Sequence, residues 1–212
     1  MSGEPDDRVA AVILAAGRSV RMGRPKAFLP LPGGGTFLGR LVRTFELTGA
    51  SPVVVVRPPQ WAHGPTPGSG RVEFAINPEP ERGQLSSLQC GLAAVSSAVS
   101  AVLFTPVDVP MVTVQTVSAL MDRWRSTRAA VVRPARAGRH GHPVLVSRTV
   151  ADALLSADGS LSARHVLERF SAATVDVPVE DEGAFLDIDT PEDYERVLAR
   201  WTTDSGGVVG PS

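Results

Sequence analysis

Lys26 is the one lysine in a chain whose Lys and Arg together number 21. It closes the loop Leu14-Ala15-Ala16-Gly17-Arg18-Ser19-Val20-Arg21-Met22-Gly23-Arg24-Pro25-Lys26. Where arginine serves almost every other cationic role, a lone lysine suggests a place for a compact ammonium on a flexible stem rather than a planar guanidinium. The bland alternative is one exposed lysine kept by chance, and its position decides between them. Small residues at Ala15-Ala16-Gly17 let the backbone approach another molecule closely. Successive backbone N–H groups in such a turn can form an anion-binding nest. Arg18, Arg21, Arg24 and Lys26 crowd into a short stretch, and four cations this close repel unless something negative sits among them. A triphosphate fits.

Two familiar phosphate loops are excluded. A P-loop requires Lys directly after its second glycine, whereas Arg24-Pro25 separates Gly23 from Lys26. The spacing G-x-G-x-x-G is absent, and Pro25 argues against a helix through this stretch. An extended cationic loop around an anion remains.

Acidic residues that could complement it lie far along the chain. Asp108 follows the apolar run 101–105 and precedes Pro110. By residue type alone it reads equally as a ligand at the rim of a sheet or as an ordinary turn aspartate. Asp187 and Asp189 are two apart, so on an extended segment they face the same side. Thr190-Pro191-Glu192-Asp193 reads as a helix start, with an N-cap, a proline at the first helical position and acids in the first turn. Gln84, Ser86 and Ser87 open an apolar helix, where hydroxyls and free N–H groups could meet a base or ribose; for Ser86, plain capping is an equal reading. Gly138-Arg139-His140-Gly141-His142-Pro143 is a tight connection, with His140 expected to face solvent.

In this order the segments resemble a family. Leu14-Ala-Ala-Gly-x-Ser-x-Arg-Met-Gly-x-x-Lys26, Asn77-Pro78, Gly83-Gln84-x-x-Ser87, Asp108-x-Pro110, Gly138-Arg139-x-Gly141-His142-Pro143-Val144, Ala163-Arg164-x-x-Leu167 and the run Asp187 to Asp193 are similar to nucleotidyltransferases of the MobA-like NTP transferase family, in particular the molybdenum cofactor cytidylyltransferase branch. The resemblance spans roughly residues 8 to 200. It implies an α/β, three-layer Rossmann-like fold of the glycosyltransferase-A type, with a mostly parallel sheet and helices on both faces. It implies Lys26, Arg18 and Asp108 as catalytic residues. Leu14, Ala15, Ala16, Gly17, Arg18, Lys26, Asn77, Gln84, Ser87 and Asp108 would bind the nucleotide. Gly141, His142 and Arg164 would bind the acceptor, though for Arg164 a surface ion pair is an equal reading. Asp108 and Asp189 would hold Mg2+, with Asp187 as a further candidate. The implied substrates are a nucleoside triphosphate, CTP favoured by the Ala15-Ala16-Gly17 start, and a phosphorylated small molecule of molybdopterin type; a molybdoenzyme would receive the product. A sugar or polyol phosphate acceptor, or a non-catalytic nucleotide-binding maturation module, are the alternatives. One departure stands out, Val107 where the family has glycine.

The rest of the chain must position these groups. Apolar runs at 9–15, 53–57, 71–76, 101–105, 129–133, 144–146 and 174–177 predict strands, and 36–48, 84–97, 113–128, 149–156, 162–170 and 190–201 predict helices. The β-α-β alternation calls for a largely parallel sheet with right-handed crossovers. Residues 58–70, rich in Pro and Gly, read as a surface loop. A length of 212 residues suits one domain, 8–203, with disordered tails at 1–7 and 204–212. A net charge of −1 gives no reason to expect nucleic acid or an anionic membrane as partner. The single cysteine, Cys90, excludes an intrachain disulfide. With no long apolar run, the expectation is a cytoplasmic enzyme without a membrane segment.

Overall fold

The computed structural model describes residues 7–17, 19–32, 34–61 and 72–204, with only the backbone described for Val20 and for 201–204. The expected loop at 58–70 therefore lies mostly outside the described residues, as do most of both expected tails. Asp7, placed in a tail by its sequence, is described and pairs with Arg128, while Asp204 closes the last helix.

Eight described strands form one sheet: β1 Val9–Leu14, β2 Val53–Arg57, β3 Val72–Ile76, β4 Ala101–Pro106, β5 Val131–Arg136, β6 Arg139–His140, β7 Val144–Ser147 and β8 Thr174–Pro178. Their order is β3-β2-β1-β4-β7-β5-β6, with β8 on β5. β1 is parallel to both β2 and β4, and β8 is parallel to β5, while β7 runs antiparallel between β4 and β5. β1 is apolar throughout and buried throughout, as a strand covered on both faces must be.

That strand divides the interior. Ala11 and Ile13 face one core with Phe37, Leu41, Phe45, Leu120, Trp124 and Val197. Ala10, Val12 and Leu14 face the other with Leu85, Leu88, Leu92, Leu154 and Val166. The helices sort accordingly into two outer layers. α1 Phe37–Leu47, α3 Val114–Thr127 and α6 Pro191–Asp204 cover the first core; α2 Gln84–Ala94, α4 Arg148–Leu155 and α5 Ala163–Glu168 cover the second. Thr36 and Thr113 cap α1 and α3 by accepting from Gly39 and Thr116 backbone N–H, as the hydroxyl preference at N-caps requires.

The strand after residue 129 starts later than its sequence suggested and continues into a hairpin. Arg136 opposes Arg139 across Ala137-Gly138, both at positive φ, the two-residue turn that matches strand twist. Val132 opposes Leu145 and Ala135 opposes His140, so β6 and β7 are one antiparallel partner of β5 interrupted by a bulge at 141–143. Bulges of this kind re-aim side chains. This one carries His142.

Candidate active site

β1 and β4 are neighbours whose following connections diverge, the switch point where open α/β sheets bind ligands beyond the carboxyl ends of their strands. A cavity of about 260 Å3 lies there, lined by Leu14, Ala16, Gly17, Ser19, Lys26, Pro80, Gly83, Gln84, Ser87, Pro106, Val107 and Asp108. Seven of those residues were read from the sequence as nucleotide-binding. Arg18 lies outside the described residues. Ala15 does not line the cavity; its N–H is bonded to Val56 carbonyl at 2.9 Å.

Lys26 sits under the cavity with a side chain only 10% exposed. Its Nζ donates to Asp108 Oδ2 at 3.0 Å and to Asp189 Oδ1 at 2.6 Å. Burial works to lower its pKa, but the hydrogen bond to Asp189 and the charge of Asp108 prevail and hold it above the ordinary lysine range. Its backbone N–H donates to Ser19 Oγ at 3.1 Å, which ties the two ends of the cationic loop together. Ser19, unassigned in the sequence reading, is thereby both lining and latch. Arg21 reaches Asp189 Oδ2 from the solvent side at 3.4 Å.

The two carboxylates come together because their loops are stitched. Ile188 N–H donates to Asp108 carbonyl at 2.9 Å, and Ile188 itself is fully buried. With Ile188 turned into the core, Asp187 and Asp189 face outward together, as their two-residue spacing anticipated. Asp189 N–H is then fixed by Asp193 Oδ2 at 3.2 Å. Asp187 keeps an exposed surface, yet desolvation, then Asp108 and Asp189, push its carboxyl pKa up against the opposing pull of Lys26 and Arg139. Three carboxylates therefore share a neighbourhood with Lys26, Arg21 and Arg139.

This donor set fits a hard divalent cation. Two carboxylate oxygens already converge on one cation, and a third carboxyl lies beside them. Among the described residues no group of three or more His, Cys, Asp and Glu side chains is arranged to hold a metal ion. An ion here would rest on Asp108 and Asp189, with water and substrate phosphates supplying its other ligands, the manner in which Mg2+ is commonly held.

Other sequence-assigned residues take different places. Asn77 is 1% exposed; its Nδ2 donates to Ser86 Oγ at 3.0 Å and Ser87 Oγ at 2.9 Å, and its Oδ1 accepts from Glu79 N–H. It anchors the serines instead of lining the cavity. Val107 donates its N–H to Leu14 carbonyl and is counted in the first core, so its branched side chain is accommodated largely by burial. Gly141 packs against backbone, since a Cβ there would come within 2.2 Å of Ala184 carbonyl oxygen. His142 follows, its N–H on Ala184 carbonyl at 2.7 Å and its ring edge-on to Phe104. Burial pushes the His142 pKa down, with Asp108 and the Phe104 backbone acting the other way. Arg164 pairs with Glu168 on its own helix at 3.1 Å and does not line the cavity. His140 is exposed, as expected, and pairs with Asp176.

Comparisons with known proteins bear on the chain as a whole. The model of the MobA-like NTP transferase domain matches residues 11–175. The chain is similar to the molybdenum cofactor cytidylyltransferase of Escherichia coli (strain K12), 26% identical over 196 residues covering 92% of this chain and 97% of that one. It is also similar to a probable molybdenum cofactor guanylyltransferase of Rhodopirellula baltica, 34% identical over 122 residues; the match spans 57% of this chain and 58% of the relative's length. Among solved structures, a Mycobacterium tuberculosis Rv0371c homolog from Mycobacterium sp. strain JC1 superposes with a TM-score of 0.78 at 26% identity, covering 93% of this chain and 98% of that one.

Proposed function

Because this chain belongs to the MobA-like NTP transferase family, and is thus a nucleotidyltransferase, we propose that it moves CMP from CTP onto a phosphorylated acceptor of molybdopterin type and releases pyrophosphate. The observation that carries this reading is the convergence of Lys26 Nζ on Asp108 and Asp189 beneath a cavity lined by the loop after β1.

Transfer needs an acceptor oxygen in line with the α-phosphorus and a leaving pyrophosphate opposite, so positioning and charge neutralisation supply most of the acceleration. The backbone at Ala16 and Gly17 cradles the triphosphate, and Lys26 neutralises charge near the α-phosphate and the leaving group. Gln84 and Ser87 sit at the start of α2, where first-turn N–H groups lack intrahelical partners, and contact the base or ribose. Asn77 holds Ser87 in place. A phosphate nucleophile is already ionised and needs no strong base. Asp108 and Asp189 are the residues that would hold Mg2+, whose chemistry when bound is charge neutralisation on the transferring phosphate. Neither Gly141 nor His142 lines the cavity; the bulge that carries them would shape the acceptor side from behind. The product would pass to a molybdoenzyme in the cytoplasm. No helix among the described residues is long and apolar enough to cross a membrane.

A second base reading has its own support: the Rhodopirellula relative, at 34% identity, is named a guanylyltransferase. Pyrophosphate release measured with each of the four triphosphates, with and without molybdopterin-type acceptor and Mg2+, separates them. CTP-dependent release only when acceptor and metal are present is the expected result. Release with GTP alone would move the assignment to guanylyl transfer, and no release with any triphosphate would overturn the reading.

A further inference from the structure

We infer that Lys26 is a resident stand-in cation for the metal pair, so that the divalent ion is admitted together with the triphosphate and not before it. The inference rests on the reading that Asp108 and Asp189 hold that ion. The ammonium bonds one oxygen of each carboxylate, at 3.0 and 2.6 Å, and is shielded from solvent. It therefore occupies the convergence point a shared metal would use. Two cations cannot rest on the same pair of oxygens without strong mutual repulsion at that separation.

Everything around the ammonium is fixed except its stem. The Lys26 backbone is held at both ends, its N–H on Ser19 Oγ and its carbonyl accepting from Leu29 N–H at 3.0 Å. The Asp108 carbonyl is tied to Ile188 and the Asp189 N–H to Asp193. Four methylenes with free torsions are the movable part. A bare divalent ion has to displace the ammonium with no anion ready to receive it. A triphosphate in the adjoining cavity provides that anion, since Lys26 lines the same cavity as Ala16 and Gly17. Arg21 also touches Asp189, but from solvent and on the other oxygen, so it does not block the shared point. Charge alone would make the two residues equivalent; position makes them different.

The single lysine makes the test direct. Protein labelled with 15N-lysine gives one side-chain Nζ resonance from the chain. Millimolar Mg2+ alone should leave that resonance unmoved, and Mg2+ with CTP should shift it. In parallel, Mn2+ binding to nucleotide-free protein should tighten in Lys26→Met by roughly 5–150-fold, the ordinary range for coupled sites, and much less in Arg21→Met. Displacement of the resonance by Mg2+ alone, or equal tightening in both variants, overturns the inference. Neither readout needs turnover or acceptor, so an absence of pyrophosphate release would sink the proposed activity without touching this result.

Discussion

At the scale of single residues, Lys26 is the sharpest point of agreement and of surprise. Its isolation among arginines was legible in the sequence, and so was its loop. Asp108 and Asp189 were brought to the same site only by the family resemblance, and their direct ion pair with Lys26 was not legible, because contacts to residues 82 and 163 positions away leave no local trace. The geometry sharpens the argument from residue type. A planar guanidinium of larger span cannot reproduce the single-point contact that the ammonium makes with both carboxylates. Lys26→Arg should therefore lose about 2.7–4 kcal/mol of transition-state stabilisation, the scale of one lost electrostatic contact in comparable sites. The loss would be read as a fall in kcat for pyrophosphate release; retention of full activity would remove the basis for lysine at this position. Gly17 gives the complementary case. A Cβ there meets nothing within 4 Å, so Gly17→Ala should leave stability within about 0.5 kcal/mol while raising KM for the triphosphate, whose space the methyl would enter. Asn77 shows the opposite limit of sequence reading. Its place in a motif was visible, but its full burial against Ser86 and Ser87 was not, because burial depends on how β3 and α2 meet.

Elements were legible where period and caps agreed. The apolar β1 and the starts of α1 and α3 stand where pattern put them, and the start of α6 stands where N-cap chemistry did. What pattern could not convey was the hairpin at Ala137-Gly138 and the bulge that follows. Ala at positive φ violates local preference, and a two-residue β6 is too short for periodicity to register. The start of α6 is the element most closely coupled to the site. Thr190 Oγ1 accepts from Asp193 N–H at 3.2 Å and Asp193 Oδ2 accepts from Thr190 N–H at 2.9 Å, a reciprocal capping box. The hydrogen bonds from Thr190 hold the Asp193 carboxyl below the usual carboxylate range. A depressed pKa means the stabilisation is present above that range and is lost as pH falls through the lowered value. Asp193→Ala should cost about 1 kcal/mol near neutral pH, with the penalty shrinking in acid, and should also weaken activity by freeing Asp189. Denaturant midpoints taken across pH measure the first effect. In α2 the critical feature is Gly91, where a Cβ would fall 2.4 Å from Val12 Cγ1 and 2.8 Å from Val56 Cγ2. Both neighbours are stiff, short side chains of buried strands, so Gly91→Ala should destabilise by about 1–3 kcal/mol despite alanine's helical preference.

Across the whole molecule, the two cores are joined by β1, whose alternate side chains enter both. The loop that lines the cavity leaves the end of that strand, so the site depends on both layers at once. Neither layer can release β1 without exposing the other's apolar face, which predicts one cooperative transition for the described domain. The two sides can be monitored separately. Trp124 is buried in the first core and Trp61 packs against it, so tryptophan fluorescence, read in a Trp201→Phe background, follows that side. Cys90 is partly buried against the second core, so its labelling by a thiol reagent follows the other. Ile13→Ala removes packing only from the first core and should cost about 2–5 kcal/mol. Because the strand is shared, fluorescence and Cys90 labelling should shift their denaturant midpoints by the same amount in that variant. Val12→Ala, acting on the second core, should likewise move both readouts together. If Ile13→Ala moved fluorescence and left the Cys90 midpoint in place, the layers would be unfolding independently, and the active-site loop would owe its placement to one of them alone.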